Sequence, residues 1–142
     1  MAIQYKHLQP NGDYKSLGDL TNYKVVLILE SPVQTEWQTA LSEHLVRRGC
    51  KYVMAWGDDC SSWDNSVDLA NLEQYEFGDI PEEKRIMTTW HDEETLEDVF
   101  WFCEYLVRHP IHTLTRTILV HIANRARKDE ILNLYTTAVL EP

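Results

Sequence analysis

Glycine is scarce in this sequence, and its five residues form neither a Gly-x-Gly-x-x-Gly nor a Gly-x4-Gly-Lys pattern. Such loops hold phosphate through backbone amides, so the common nucleotide-binding loops are excluded. Cysteine is also scarce: Cys50, Cys60 and Cys103 include no Cys-x-x-Cys pair, which argues against a disulfide framework and against a standard zinc site. We therefore expect free buried thiols, no structural metal and no cofactor.

Long apolar runs are absent too. No stretch approaches the ~20 residues of a membrane span. The first residues, 1–6, lack the apolar core of a signal peptide. We expect a cytoplasmic protein that makes no use of a membrane.

Positive charge is nearly missing from one third of the chain. Residues 58–104 carry fifteen carboxylates against only Lys84 and Arg85, a net charge of −13 within a chain of formal charge −10. Such a field repels nucleic acid, whose recognition requires cations. It attracts a basic protein partner and speeds the encounter, although a solvated face that only aids solubility has the same composition.

What is present is an alternation of apolar runs and amphipathic stretches. Continuous apolar runs predict four strands, at 24–30, 50–56, 85–90 and 116–122. Helical periodicity predicts helices from Ser31 to Arg48 with a stop at Gly49, over 62–75, from Asp92 to about Val107, and over 128–139. Ser31, Ser61 and Asp92 are the candidate helix caps.

This order predicts an α/β fold in a single domain over 1–142, with an irregular N-terminal arm (1–23) and a core over 24–140. We expect a three-layer, flavodoxin-like or half-Rossmann arrangement. It has a four-stranded, mostly parallel sheet and helices on both faces. The first and fourth strands are the most apolar and should be central, and the third strand should be an edge.

In parallel α/β folds, ligands bind beyond the carboxyl ends of the strands. The predicted ends bring Glu30, the turn from Gly57 to Cys60, the segment from Thr89 to Asp92, and finally His121 with Asn124 and Arg125. An aromatic ring among carboxylates is typical of a protein-binding surface, with the ring as anchor. We therefore predict a recognition surface formed by Trp56, Asp58, Asp59, Trp63, Trp90, His91, Asp92 and Glu93.

Two chemical alternatives stay open. In the first, Cys60 at a helix start is a nucleophile, with His91 as base and Glu30 as orienting group, in a small-molecule hydrolase or transferase. Asp58 and Asp59 beside the thiol oppose this, because they raise its pKa. In the second, the same aspartates bind magnesium or manganese together with His91 and Asp92. The companion lysine and threonine of phosphoryl-transfer folds are not evident.

The segments Met54-Ala55-Trp56-Gly57-Asp58-Asp59-Cys60-Ser61-Ser62-Trp63 and Met87-Thr88-Thr89-Trp90-His91-Asp92-Glu93 resemble a family of small uncharacterised bacterial α/β proteins. The resemblance extends over most of 25–124. It implies a bacterial origin and a role for these two corners beyond helix capping. The family has no settled activity, so it assigns no catalytic residue. The sequence therefore predicts an acidic protein-binding module, most concretely a bacterial immunity protein that occludes a toxin domain.

Overall fold

The structure is a computed structural model that describes residues 2–140. Met1, Glu141 and Pro142, which the single-domain prediction includes, lie outside the described residues. The elements in chain order are β1 (Ala2–Leu8), β2 (Tyr23–Leu29), α1 (Thr35–Arg47), β3 (Tyr52–Gly57), α2 (Cys60–Glu73), a 3-10 turn (Glu82–Lys84), β4 (Met87–His91), α3 (Leu96–Tyr105), β5 (Arg116–Ile122) and α4 (Lys128–Val139). The fold is therefore α/β.

The sheet has five parallel strands in the order β1-β5-β2-β3-β4, so the prediction of four strands was wrong. The missed strand is β1, which lies inside the predicted irregular arm and pairs with β5 from Ala2 to Leu8. Polar and apolar residues mix along β1, because an edge strand is covered only in part. β1 therefore lacks the continuous apolar run that predicts the other strands.

The remaining strand positions follow the prediction. β2 is the middle strand, β5 is its internal neighbour, and β4 is an edge. After β2 the chain moves through α1 and α2 towards β4, and after α3 it returns to the other side of β2. The carboxyl ends of β2 and β5 therefore flank the point where the strand order reverses, which is where open α/β sheets bind ligands.

Two hydrophobic clusters form on the sheet, because successive side chains of a strand point to opposite faces. Val25, Leu27 and Leu29 of β2 join the first cluster with α1 and α2. Val26 and Ile28 join the second cluster with α3 and α4. Every residue of β2 is buried, as its continuous apolar run predicts.

Helix ends are less predictable than helix positions. The bounds of α4 match the prediction, and α1 ends before Gly49, which adopts a φ of 86°. All three predicted caps were wrong: the observed N-caps of α1, α2 and α3 are Gln34, Asp59 and Thr95. For α1 the reason is tertiary, since the side chain of Asn11 accepts the Gln34 N–H at 2.7 Å.

Candidate functional site

The two corners that follow β3 and β4 lie side by side. Parallel pairing sets Trp56 opposite His91. The Trp56 indole N–H donates to the Glu94 carbonyl oxygen at 2.7 Å, which joins the two strand ends. The corners that the sequence singled out therefore form one continuous surface.

The turn after β3 has a fixed shape. Gly57 has a φ of 105°, and a Cβ there would meet the Leu29 carbonyl oxygen. The same carbonyl accepts the Asp58 N–H at 2.8 Å. Asp59 and Glu93 both adopt left-handed backbone, with φ values of 55° and 60°, so each corner turns tightly at an acidic residue.

Most of the predicted recognition residues are at the surface. Asp58, Asp59, Asp92 and Glu93 are exposed, and the Trp90 side chain is 53% exposed. We call these five residues, together with the half-buried Trp56, the acidic edge. Trp90 thus adds a large exposed apolar surface to a turn that is otherwise lined by carboxylates.

Two predicted members of the surface are buried instead. Trp63 packs edge-to-face against Trp37 at a centroid distance of 6.3 Å, between α1 and α2. His91 bonds Thr89 at 2.8 Å and Glu94 at 3.1 Å, and its ring packs on Phe102. These two side chains support the acidic edge from within and are not available to a partner.

The predicted nucleophile set is not assembled. Cys60 is buried, and burial raises the pKa of its thiol, with the charge of Asp92 acting in the same direction. The thiol of Cys60 makes hydrogen bonds with backbone groups, one of which is the backbone of His91 and not its imidazole. Glu30 belongs to a different group of side chains, in which His121 and Arg127 are its hydrogen-bond partners. A thiol with a raised pKa is a poor nucleophile at neutral pH.

Glu30 lies at the switch point of the sheet with three side chains that the prediction did not combine. His121 Nε2 lies 2.5 Å from Glu30 Oε1, and His121 Nδ1 lies 2.5 Å from the Tyr5 hydroxyl. The Arg127 guanidinium donates to Glu30, and the Arg127 backbone N–H donates to the Tyr5 hydroxyl at 2.9 Å. We call these four residues the His121 cluster.

The hydrogen bonds of the His121 cluster, together with the burial of His121, indicate its proton positions. Glu30 is an acceptor, so Nε2 of His121 carries the proton and donates it. Burial of His121 favours the neutral imidazole, in which Nδ1 accepts from the Tyr5 hydroxyl, whose oxygen accepts from Arg127. The chain of donors and acceptors is complete, with the imidazole neutral.

The pKa values in this cluster move away from neutrality. Burial lowers the pKa of His121, although Glu30 acts against this. Burial alone would raise the pKa of Glu30, but hydrogen bonds from Arg127 and His121 lower it below its ordinary value. Burial raises the pKa of Tyr5. A general acid or base works best with a pKa near the operating pH. These shifts therefore favour a structural role for the His121 cluster, which connects β1, β5, β2 and α4, over a role in acid-base catalysis.

Two carboxylates of α2, those of Asp64 and Asp68, lie beside β4. The Thr88 hydroxyl donates to Asp68 Oδ1 at 2.8 Å. Asp64 is buried, and its Oδ1 has no hydrogen-bond partner among residues 2–140. Burial raises the pKa of both Asp64 and Asp68. A buried acceptor without a partner destabilises the fold by roughly 1–3 kcal/mol.

The cavity next to the acidic edge is small. Its volume is about 150 Å³, and it is lined by Ser31, Pro32, Val33, Gln38, Asp58, Asp59 and Trp63. Pockets for small organic ligands usually enclose roughly 300–1,000 Å³.

The described residues contain no group of three or more His, Cys, Asp or Glu placed to hold a metal ion, so the predicted magnesium set is not assembled there. Between residues 2 and 140, no helix is long and apolar enough to cross a membrane.

The fold is that of a small α/β protein with a parallel five-stranded sheet. A family model described as Domain of unknown function (DUF7684) matches residues 3–138, and the chain belongs to this family. No curated protein and no solved structure matches the chain. The family is uncharacterised, as the resemblance of the two corner segments implied.

Proposed function

We propose that the protein is an acidic protein-binding module whose partner carries a basic surface. Its most concrete form is a cytoplasmic bacterial immunity protein that covers a basic surface or active site of a toxin domain. The scaffold in this proposal is a single three-layer domain, with α1 and α2 on one face of the sheet and α3 and α4 on the other.

The observation that carries the proposal is the exposed Trp90 beside exposed carboxylates at the end of an edge strand. An aromatic anchor provides a large apolar contact, and surrounding charges guide association with a partner of opposite sign. Two contacts also hold the acidic edge in place: the Trp56–Glu94 hydrogen bond and the hydrogen bond of the buried His91 with Glu94. A rigid surface loses little conformational entropy on binding.

The test is affinity capture from the native host with three forms of the protein. The first is the wild type, and the second replaces Asp58, Asp59, Asp92 and Glu93 with lysine. The matched control changes four other exposed carboxylates of the same acidic segment to lysine, namely Glu76, Asp79, Glu82 and Glu83.

We expect the wild type and the control to retain the same basic protein and the second form to lose it. Equal retention by all three forms would show that the acidic edge is not the interface. Retention of an acidic partner would contradict the charge argument itself.

A small-molecule hydrolase or transferase remains the second candidate, because Glu30 and His121 meet at the switch point of the sheet. This candidate now has to use Glu30 without Cys60 and His91, which lie in other contacts. A thermal-shift screen of phosphorylated and carboxylated metabolites tests it. A compound that raises the melting temperature of the wild type, but not of Glu30→Gln, would favour the enzyme.

A further inference from the structure

β4 has one side without a strand partner along the described chain, since it pairs only with β3. The Met87 N–H donates to the Lys51 carbonyl oxygen on the β3 side. Backbone groups of successive residues in a parallel strand alternate between its two sides. The N–H and C=O groups of Thr88 and Trp90 therefore point outwards, and those of Thr89 and His91 point to β3.

The two faces next to this edge differ in chemistry. On the α2 face, Thr88 contacts Asp68, with Asp64 buried nearby and Trp90 exposed beyond them. On the α3 face, Thr89 bonds His91, whose ring packs on the half-buried Phe102. One face of the edge is thus carboxylate-rich and the other is aromatic and apolar.

We propose that β4 receives an extended segment of the basic partner as a sixth strand, with cationic and apolar side chains alternating along that segment. This inference rests on the proposed function and specifies how its partner binds. Side chains of neighbouring strands that lie side by side point to the same face. The cations of the added strand would lie over Asp64, Asp68 and the Trp90 ring, and its apolar side chains would lie towards Phe102.

The charges favour this occupant over a second copy of the chain. A two-fold pairing of β4 with another β4 is antiparallel, and it would bring Asp64 and Asp68 on the α2 face towards their own counterparts, between chains that each carry a formal charge of −10. Like charges opposed across a strand pair destabilise it. Lys84 and Arg85 precede β4, so the negative charge is concentrated towards its carboxyl end. A cationic segment has complementary charge there.

Strand addition has a specific signature in amide hydrogen exchange. The probe is a synthetic peptide of about ten residues that alternates lysine and valine, and its control alternates glutamate and valine. Exchange is followed residue by residue by NMR on the full chain. We expect the lysine peptide to slow the exchange of the Thr88 and Trp90 amides by about tenfold or more. Thr89 and His91 should change little, because their amides already face β3.

The other edge strand, β1, is the internal control and should gain no protection from either peptide. Asp68→Asn and Trp90→Ser should each weaken the binding of the lysine peptide, and the glutamate peptide should not bind. Two results would overturn the inference: failure of the lysine peptide to bind, or binding that leaves Thr88 and Trp90 unprotected. Protection of these amides without peptide, in a dimer seen by sedimentation, would assign the edge to a second copy instead.

These results are separable from the proposed function. If the lysine peptide fails while capture of a basic protein still depends on the four carboxylates of the acidic edge, docking stands and strand addition does not. If the peptide binds along β4 but capture is indifferent to those carboxylates, the edge strand is a binding site without the proposed acidic docking.

Discussion

His121 Nε2 lies 2.5 Å from Glu30 Oε1, with the histidine fully buried and the glutamate side chain 32% exposed. This contact connects β5 to the end of β2 where the strand order of the sheet reverses. Tyr5 and Arg127 extend it to β1 and α4. One hydrogen-bonded cluster thus joins β1 and the end of β2 to β5 and the start of α4, which are distant from them in sequence.

The stability of the fold should depend on pH through His121. Burial lowers its folded-state pKa below the ordinary value of 6.5. The unfolded chain therefore binds a proton that the folded protein does not, and stability falls as pH falls below 6.5. Between pH 6.5 and about 5.5 this loss is at most about 1.4 kcal/mol. Urea unfolding at several pH values measures it.

His121→Asn should cost about 2–3 kcal/mol at neutral pH, because Glu30 and Tyr5 lose a buried partner. Its stability should also fall less between neutral and mildly acidic pH than that of the wild type. His112→Asn, which removes a histidine outside the cluster, is the control. Parallel pH profiles for the wild type and His121→Asn would contradict this account of the pKa.

Gly57 should not tolerate a side chain. Its φ of 105° is unfavourable for other residues, and a Cβ would clash with the Leu29 carbonyl oxygen. Gly57→Ala should therefore lower the free energy of unfolding by about 3 kcal/mol or more. Gly18→Ala is the matched control, because a Cβ at Gly18 meets nothing within 4 Å, and its cost should stay within about 0.5 kcal/mol. Equal effects of the two substitutions in urea unfolding would refute the close approach of β3 to β2.

Asp64 should lower stability at neutral pH. Its buried Oδ1 has no partner within residues 2–140, and burial raises its pKa. An acid whose folded pKa is raised contributes stability below its unfolded pKa, and this contribution is lost as pH rises through the folded value. Asp64→Asn should therefore stabilise the protein by about 1 kcal/mol at pH 7, with little gain near pH 3.

Asp58→Asn, at an exposed position, is the control for Asp64 and should change stability by less than about 0.5 kcal/mol. A loss of stability in Asp64→Asn at neutral pH would mean that the buried carboxylate has a favourable environment. Urea unfolding of both variants decides between these outcomes.

The three cysteines should resist alkylation in the folded protein. All are buried, and burial raises the pKa of Cys50 to about 12, that of Cys103 to about 11, and that of Cys60 above its ordinary value. Iodoacetamide followed by intact-mass measurement should give no adduct under native conditions and three adducts in denaturant. Rapid native modification at Cys60 alone would revive the nucleophile hypothesis.

The sequence was most informative where one local signal determines the structure. The bounds of β5 and α4 match the prediction, since an apolar run and an amphipathic stretch define them without help from other elements. The joining of the corners after β3 and β4 was also predictable, because consecutive parallel strands usually pair. The exposure of the four carboxylates of the acidic edge followed from their charge.

Features that depend on contacts between distant elements could not be predicted. The cap of α1 depends on Asn11 from a preceding loop, and the burial of Trp63 depends on how α2 packs against Trp37. The His121 cluster requires Tyr5 on β1, a strand with no continuous apolar run. A histidine inside the apolar run of β5 was its one visible signal, because buried imidazoles need polar partners.

The most direct test of acidic docking is the rate constant for association of the protein with the captured basic partner. Surface plasmon resonance at increasing salt concentration measures it. For the wild type the rate should fall steeply as salt rises, because screening removes the attraction. The variant with lysine at Asp58, Asp59, Asp92 and Glu93 should associate about tenfold more slowly or worse at low salt. The control with lysine at Glu76, Asp79, Glu82 and Glu83 should stay within about threefold of the wild type. Equal association rates for the wild type and the first variant, with no salt dependence, would contradict the account.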